Sequence, residues 1–564
     1  MKNMTERKST CWRLTALLLV YGVFLAINVQ AATFEVTNGL DGPMPGPEGS
    51  LRWAVHQANQ SEGRDTISIS ESVEEIVLNS QINVLDPATI QSFRTGGTTI
   101  SLSEGTVARF FAFESDGPEA LQGGLTLINL LLFGGRTTQD ATDLSTCSSS
   151  TGQGGAICSQ GRLSLIDMRL FDNGTSGTGA AGGAVWADGF VLLRGSEVLA
   201  NSTQGLEAPG GGVYADRLTC LRSQVGGNET NGDNSPGGGP HIVSSVQGGG
   251  CDVYLNVTSG DLSGGGGVFA EDLSTLFDAG GWILRANQTT GASSHGGGAL
   301  VADLSLLNST VSDNGINGEV SSGSGIMLIA RDDILAPQPG APASPAIIAS
   351  STFLLNSGDA ALVIDDGANE NSPAGFEVNL LLANSYLDAS IYQNGTDSIL
   401  FIEAEEGNIN VIESRPNRID VDGDPGWTEV VTPFVRQQNC LTENGVPDGN
   451  PFCHGGFFPL RTSPLVDAGG SSLFTVSSFD GRGPGYSRRA DGRLELDESP
   501  PQDIGAIELS PIIDYFLATP FFGLQSFIAW STPDEVFCLR EGLQGTEWEG
   551  EGENNRAREL IVDL

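Results

Sequence analysis

Between residues 150 and 330 the chain alternates short apolar runs with glycine. A Gly-Gly doublet followed by an apolar triplet recurs at Gly154 (GGAIC), Gly182 (GGAVW), Gly211 (GGVYA), Gly238 (GGPHIV), Gly266 (GGVFA) and Gly297 (GGALV). The steps are 28, 29, 27, 28 and 31 residues, and a looser copy spans Gly323–Leu328. A second mark lies about two-thirds of the way through each unit, where an apolar or mixed stretch ends at Asn173, Asn201, Asn228, Asn256, Asn287, Asn314 and Asn356. A near-constant period of this length is the mark of a stacked repeat. The apolar runs are too short, and the glycine too frequent, for helical repeats. The pattern predicts short strands joined by turns, one unit per coil: an all-β, right-handed parallel β-helix.

In this reading Gly-Gly lets the chain bend sharply before each strand. Asn supplies left-handed backbone angles and side-chain turns, and stacked Asn can form an amide ladder along the axis. A β-helix also needs its open end covered. Residues 50–59 predict a short capping helix across the first coil, with Ser50 as N-cap and Leu51, Ala54, Val55 and Ala58 on one face.

Composition agrees with strands and turns: 77 of 564 residues are Gly and only 17% are charged. The net charge of −42 excludes a phosphate-backbone binder, which needs clustered Lys and Arg, so no nucleic-acid partner is expected. The N-terminus reads as a cleaved signal peptide: a basic stretch from Lys2 to Arg13, an apolar run Leu14–Ile27, and Val29-Gln30-Ala31 placing the cut after Ala31. Export permits disulfides, and neighbouring cysteines suggest the pairs 147–158, 220–251 and 440–453, with Cys538 left over. No later segment reads as a convincing membrane span.

Three stretches resemble a family of bacterial exported β-helix proteins. GSLRWAVHQANQSEGRDTISI (Gly49–Ile69) is similar to their opening CSLREA-type motif, with Trp53 and Val55 in place of the usual Glu and Ile. Residues Ile76–Gly135 resemble the family's first coils, and SPLVDAG (Ser463–Gly469), FDGRG (Phe479–Gly483) and DIGAIE (Asp503–Glu508) look like its choice-of-anchor Q module. GGAI at Gly154–Ile157 and FLLN at Phe353–Asn356 are also similar to polymorphic outer-membrane protein repeats. The resemblance implies an exported, often surface-attached protein and supplies no catalytic residue. It divides the chain into a leader (1–31), a cap (32–75), coils (76–435), a choice-of-anchor Q-like module (436–510) and a tail (511–564), whose acidic run Glu547–Asn555 predicts disorder.

The candidate chemistry is acidic. An acid follows the Gly-Gly strand at Asp188, Asp216, Glu271-Asp272, Asp303 and Asp332. Stacked, these would line one corner as solvent-facing turn residues or as a row of divalent-cation ligands, with Ca²⁺ the candidate cofactor. Asp420, Asp422 and Asp424 resemble the first half of a calcium loop, with Pro425 where the EF-hand pattern has Gly. His56, His241, His295 and His454 are scattered and read as surface residues. Trp186, Tyr214, Phe269 and Trp282 read as core or inter-coil stacks. Three functions follow. The first is a non-catalytic scaffold binding a polysaccharide or another cell-surface ligand. The second is a polysaccharide lyase or hydrolase of the pectin-lyase-like type. The third is a cation-crosslinked envelope protein.

Overall fold

The computed structural model describes residues 31–365 apart from 62, 115–123, 142–146, 149, 277–278, 330–345, 355 and 358–359, and beyond 365 only short strand segments. The chain is a parallel β-helix. It starts with β1 (Thr33–Val36), which pairs in parallel with β2 (Asp65–Ile69). Three parallel sheets then run along the axis. The first stacks strands such as Val185–Ala187, Val213–Leu221, Pro240–Gly249 and Val268–Thr275. The second stacks Arg169–Phe171, Glu197–Leu199, Gln224–Gly226 and Cys251–Tyr254. The third is built from two-residue strands such as Ser202–Thr203 and Glu229–Thr230.

Alternation along each strand sends one set of side chains into the lumen. In the first sheet Val185, Val213, Val268, Ala299 and Ile326 stack there, with Ala187, Ala215, Ile242, Ala270 and Val301 two residues on, all fully buried. Burying each Val or Ile side chain contributes about 1.5–3 kcal/mol. Because every coil repeats the same columns, the core is continuous from Val36 to Ile364.

The expected capping helix is α1 (Leu51–Ala58). Ser50 Oγ accepts from the Trp53 N–H at 3.2 Å, and Leu51, Ala54, Val55 and Ala58 are buried. Its contacts are with β1, β2 and the strand Ile82–Val84, so it lies over the first turn of the solenoid. Arg52 is buried with it. Its Nε and Nη2 donate to the Asp41 carboxylate at 2.7 and 2.9 Å, and the guanidinium also donates to the carbonyls of Ser80 and Gln81. Burial alone would raise the Asp41 pKa, but Arg52 and the Asn79 N–H outweigh it and hold the carboxyl below its ordinary value.

The asparagine corner forms the expected ladder. From Asn173 through Asn201, Asn228, Asn256, Asn287 and Asn314 to Asn356, each Nδ2 donates to the next Oδ1 at 2.9–3.0 Å. Each second Nδ2 hydrogen goes to a backbone carbonyl of the preceding coil, such as Leu170 for Asn201 and Val198 for Asn228. The left-handed backbone expected at these asparagines lies one residue earlier, at Asp172, Ala200, Gly227, Leu255, Ala286 and Asp313. The glycine period also shifts. The residues in equivalent turns with φ between 64° and 77° are Gly154, Gly182, Gly210, Gly237, Gly265, Gly296 and Gly323, each three residues before the first residue of the next first-sheet strand.

Candidate functional site

The outer side of the first sheet carries the acids found in the sequence. Asp188 follows Ala187, and its carboxylate accepts from the Gly161 N–H. Asp216 follows Ala215 in the next coil. Its Oδ1 accepts from Ser244 Oγ at 2.6 Å and its Oδ2 from Arg217 Nε at 3.2 Å. Partial burial raises the Asp188 pKa, the Gly161 N–H opposes this, and the Asp216 carboxylate adds to the rise. Asp272 and Asp303 are paired in register on adjacent strands.

These four acids do not share one column. The strand Pro240–Gly249 carries one more residue than its neighbours between Ile242 and Ser245. Its Ser244 fills the gap left by the missing acid. Asp272 and Asp303 instead continue a line through Phe190, Arg217 and Ser245. The result is two acid pairs rather than one row. A calcium ion takes six to eight oxygens. Among the described residues, no group of three or more His, Cys, Asp or Glu side chains is gathered to hold a metal ion. Asp420 ends the strand Arg418–Asp420, in register with Asp388. Asp332, Asp422 and Asp424 lie outside the described residues.

Beside the acids runs a second column that sequence reading only half resolved. The rings of Trp186, Tyr214, His241 and Phe269 stack along the axis with centroids 6.4, 5.2 and 4.6 Å apart and planes within 7° of parallel. His241 therefore fills a place in an inter-coil stack, where the sequence suggested a surface turn. The signal was present: all four residues occupy the same place after the glycines. Burial between Tyr214 and Phe269 pushes the imidazole down to about 4, with the Pro236 carbonyl opposing. Trp282 lies in the lumen instead, with Cys220 and Cys251, which form a disulfide. Cys147 and Cys158 form the other expected bond. Cys440 and Cys453 lie outside the described residues, and Cys538 sits on the strand Phe537–Leu539. His56 is on α1, its Nε2 3.2 Å from Gln60 Nε2, and His295 Nδ1 accepts from the Ser322 N–H. His454 is outside the described residues.

The second sheet presents a different face, which sequence reading missed. Phe133 and Phe171 point outward from adjacent coils, 43% and 42% exposed, stacked with centroids 5.8 Å apart and planes 12° from parallel. Two residues earlier on the same strands, Leu131 and Arg169 continue to Glu197, and Arg169 and Glu197 are ion-paired at 3.5 Å. Beside them a depression of about 240 Å³ is lined by Asn129, Asp167, Arg169, Gly195 and Glu197 among others. Gly195 makes room there: a Cβ on it would meet Asp167 Oδ1 at 2.5 Å. The site joins an apolar ring surface to an amide, two carboxylates and a guanidinium. Apolar residues on alternate positions of single strands gave no sign that two rings would meet across coils.

The fold and these faces define a class, the parallel β-helix. No family model, curated protein or solved structure matches the chain. No helix among the described residues is long and apolar enough to cross a membrane.

Proposed function

We propose that this protein is an exported, non-catalytic β-helix scaffold that holds a polysaccharide against the outer face of its second sheet. The exposed Phe133–Phe171 pair beside the polar depression carries this reading. The C–H faces of sugar rings pack on aromatic rings, and amide, carboxylate and guanidinium groups hydrogen-bond their hydroxyls. Export is supported by the leader-like first 31 residues and by two cysteine pairs placed for disulfides. The resemblance to CSLREA and choice-of-anchor Q proteins points to the cell surface. A scaffold role is supported by how the acids are used: Asp188 caps a turn and Asp216 is held by Ser244 and Arg217.

The test is retention of purified residues 32–564 on neutral and acidic polysaccharides, with Ca²⁺ and with chelator, while new chain ends are measured. Saturable retention that drops at least tenfold in the Phe133→Ala/Phe171→Ala double variant supports the scaffold. Retention unchanged in that variant removes this face from the reading. Reproducible chain cleavage replaces the scaffold with a lyase or hydrolase. Self-association that needs Ca²⁺, without glycan retention, replaces it with a cation-crosslinked envelope protein.

A further inference from the structure

The first coil holds a buried acid with one oxygen left unpartnered. Asp65 opens β2 and is 1% exposed. Its Oδ1 accepts from the Ala32 N–H at 2.7 Å, while its Oδ2 is buried and has no hydrogen-bond partner. No Arg or Lys pairs with it among the described residues. An ionised carboxylate buried this way is costly unless a cation and further donors reach it. The nitrogen it faces belongs to the residue that follows Val29-Gln30-Ala31, the small-x-small triplet of the leader. Ala31 is exposed and Ala32 half-buried. The Ala32 carbonyl accepts from the Thr66 N–H at 2.8 Å, so Ala32 is already tied into the coil that Asp65 opens.

We propose that the exported chain is cut between Ala31 and Ala32 and that the α-ammonium so created docks on the buried Asp65 carboxylate. A signal peptidase supplies the catalysis and water is the co-reactant. Water's oxygen bonds to the Ala31 carbonyl carbon, and the C–N bond breaks. Ala31 leaves as a carboxylate, and the Ala32 nitrogen becomes an ammonium by taking up protons. The nitrogen keeps the donor it gives to Oδ1, adds two more N–H groups for the partnerless Oδ2 and solvent, and gains the missing positive charge. Maturation thereby locks β1 onto β2, at the end of the solenoid that the capping helix covers. The cut rests on the export reading, whereas the docking does not.

The sequence makes the test clean. Lys2 and Lys8 are the only lysines in the chain, so cleavage leaves the Ala32 α-amine as the sole primary amine. The chain is expressed with its leader in a secreting host, and the exported fraction is examined by intact mass and N-terminal sequencing. A start at Ala32 is expected. Exported protein starting elsewhere overturns the cut while leaving export standing, and uncut protein retained in the cell counts against both. Separately, residues 32–564 are released from a fusion that leaves Ala32 first. Their labelling by an amine-specific reagent at pH 7.5 is compared with that of the peptide Ala-Thr-Phe-Glu-Val. Labelling about tenfold slower in the protein, restored to the peptide's rate in Asp65→Asn, is expected, since tenfold corresponds to one unit of amine pKa. Equal rates in protein and peptide overturn the docking, and that comparison decides the matter even where Asp65→Asn fails to fold.

Discussion

Asn228 donates its side-chain amide to Oδ1 of Asn256 at 2.9 Å, while its own Oδ1 accepts both the backbone and the side-chain nitrogen of Asn201. One buried amide thus links three successive coils with every donor and acceptor used. Asn228→Ala strips the acceptor from two buried nitrogens, and each such orphan costs about 1–3 kcal/mol. We expect Asn228→Ala to lose about 3 kcal/mol in denaturant unfolding. Asn228→Asp keeps the acceptors but buries a charge and loses both donors, so it should lose at least as much.

His241 predicts a pH dependence. Its folded pKa of about 4 lies below the ordinary imidazole value of 6.5, so the unfolded chain binds the extra proton first as pH falls. Its contribution is complete above about pH 6.5 and is lost progressively down to about pH 4. His241→Phe keeps a ring in the stack and should flatten the fall in unfolding midpoint across that window. An NMR titration of the wild-type imidazole near 6.5 would refute the premise.

Asp188 has the opposite sign. Its raised folded pKa, from partial burial and then the Asp216 charge, means its ionisation works against the fold as pH rises through that value. Asn can still accept from the Gly161 N–H. Asp188→Asn should therefore raise the unfolding midpoint slightly at pH 7, and the gain should vanish below the ordinary Asp range. A lower midpoint at pH 7 would show that the charge is needed there.

Gly226 supports a three-residue assembly. A Cβ at Gly226 would lie 2.5 Å from the Tyr254 Cζ, so the Tyr254 ring rests directly on this glycine. The Arg285 guanidinium lies 4.5 Å from the centre of that ring and pairs with Asp252 at 2.7 Å. Gly226→Ala must displace the ring and should destabilise by about 1–3 kcal/mol. Adding Tyr254→Ala should make the glycine substitution nearly silent, and a double-mutant cycle measures the coupling.

Much of this was written in the sequence. The period of the glycines and asparagines, and the alternation of small and branched apolar residues, determine a stack of parallel strands. Each unit can bury its apolar side only against the next copy of itself. Ser50 and the helical spacing of Leu51, Ala54, Val55 and Ala58 determine the cap for the same local reason.

What only the tertiary structure decided are relations between coils. Register sets Asp272 and Asp303 in the line of Phe190, Arg217 and Ser245 rather than with Asp188 and Asp216. Leu255 and Ala286 take left-handed backbone that their own side chains disfavour, because the buried ladder beside them holds them there. Asn201, Asn228 and Asn256 are each followed two residues later by a threonine. In the fold these asparagines, and Thr203, Thr230 and Thr258 after them, are buried and the amides are fully engaged. The meeting of Phe133 with Phe171, and of Asp65 with Ala32, is likewise invisible along the chain. Periodicity specifies which residues face inward. Which side chains meet depends on register across a full coil, which the backbone hydrogen bonds between neighbouring strands fix.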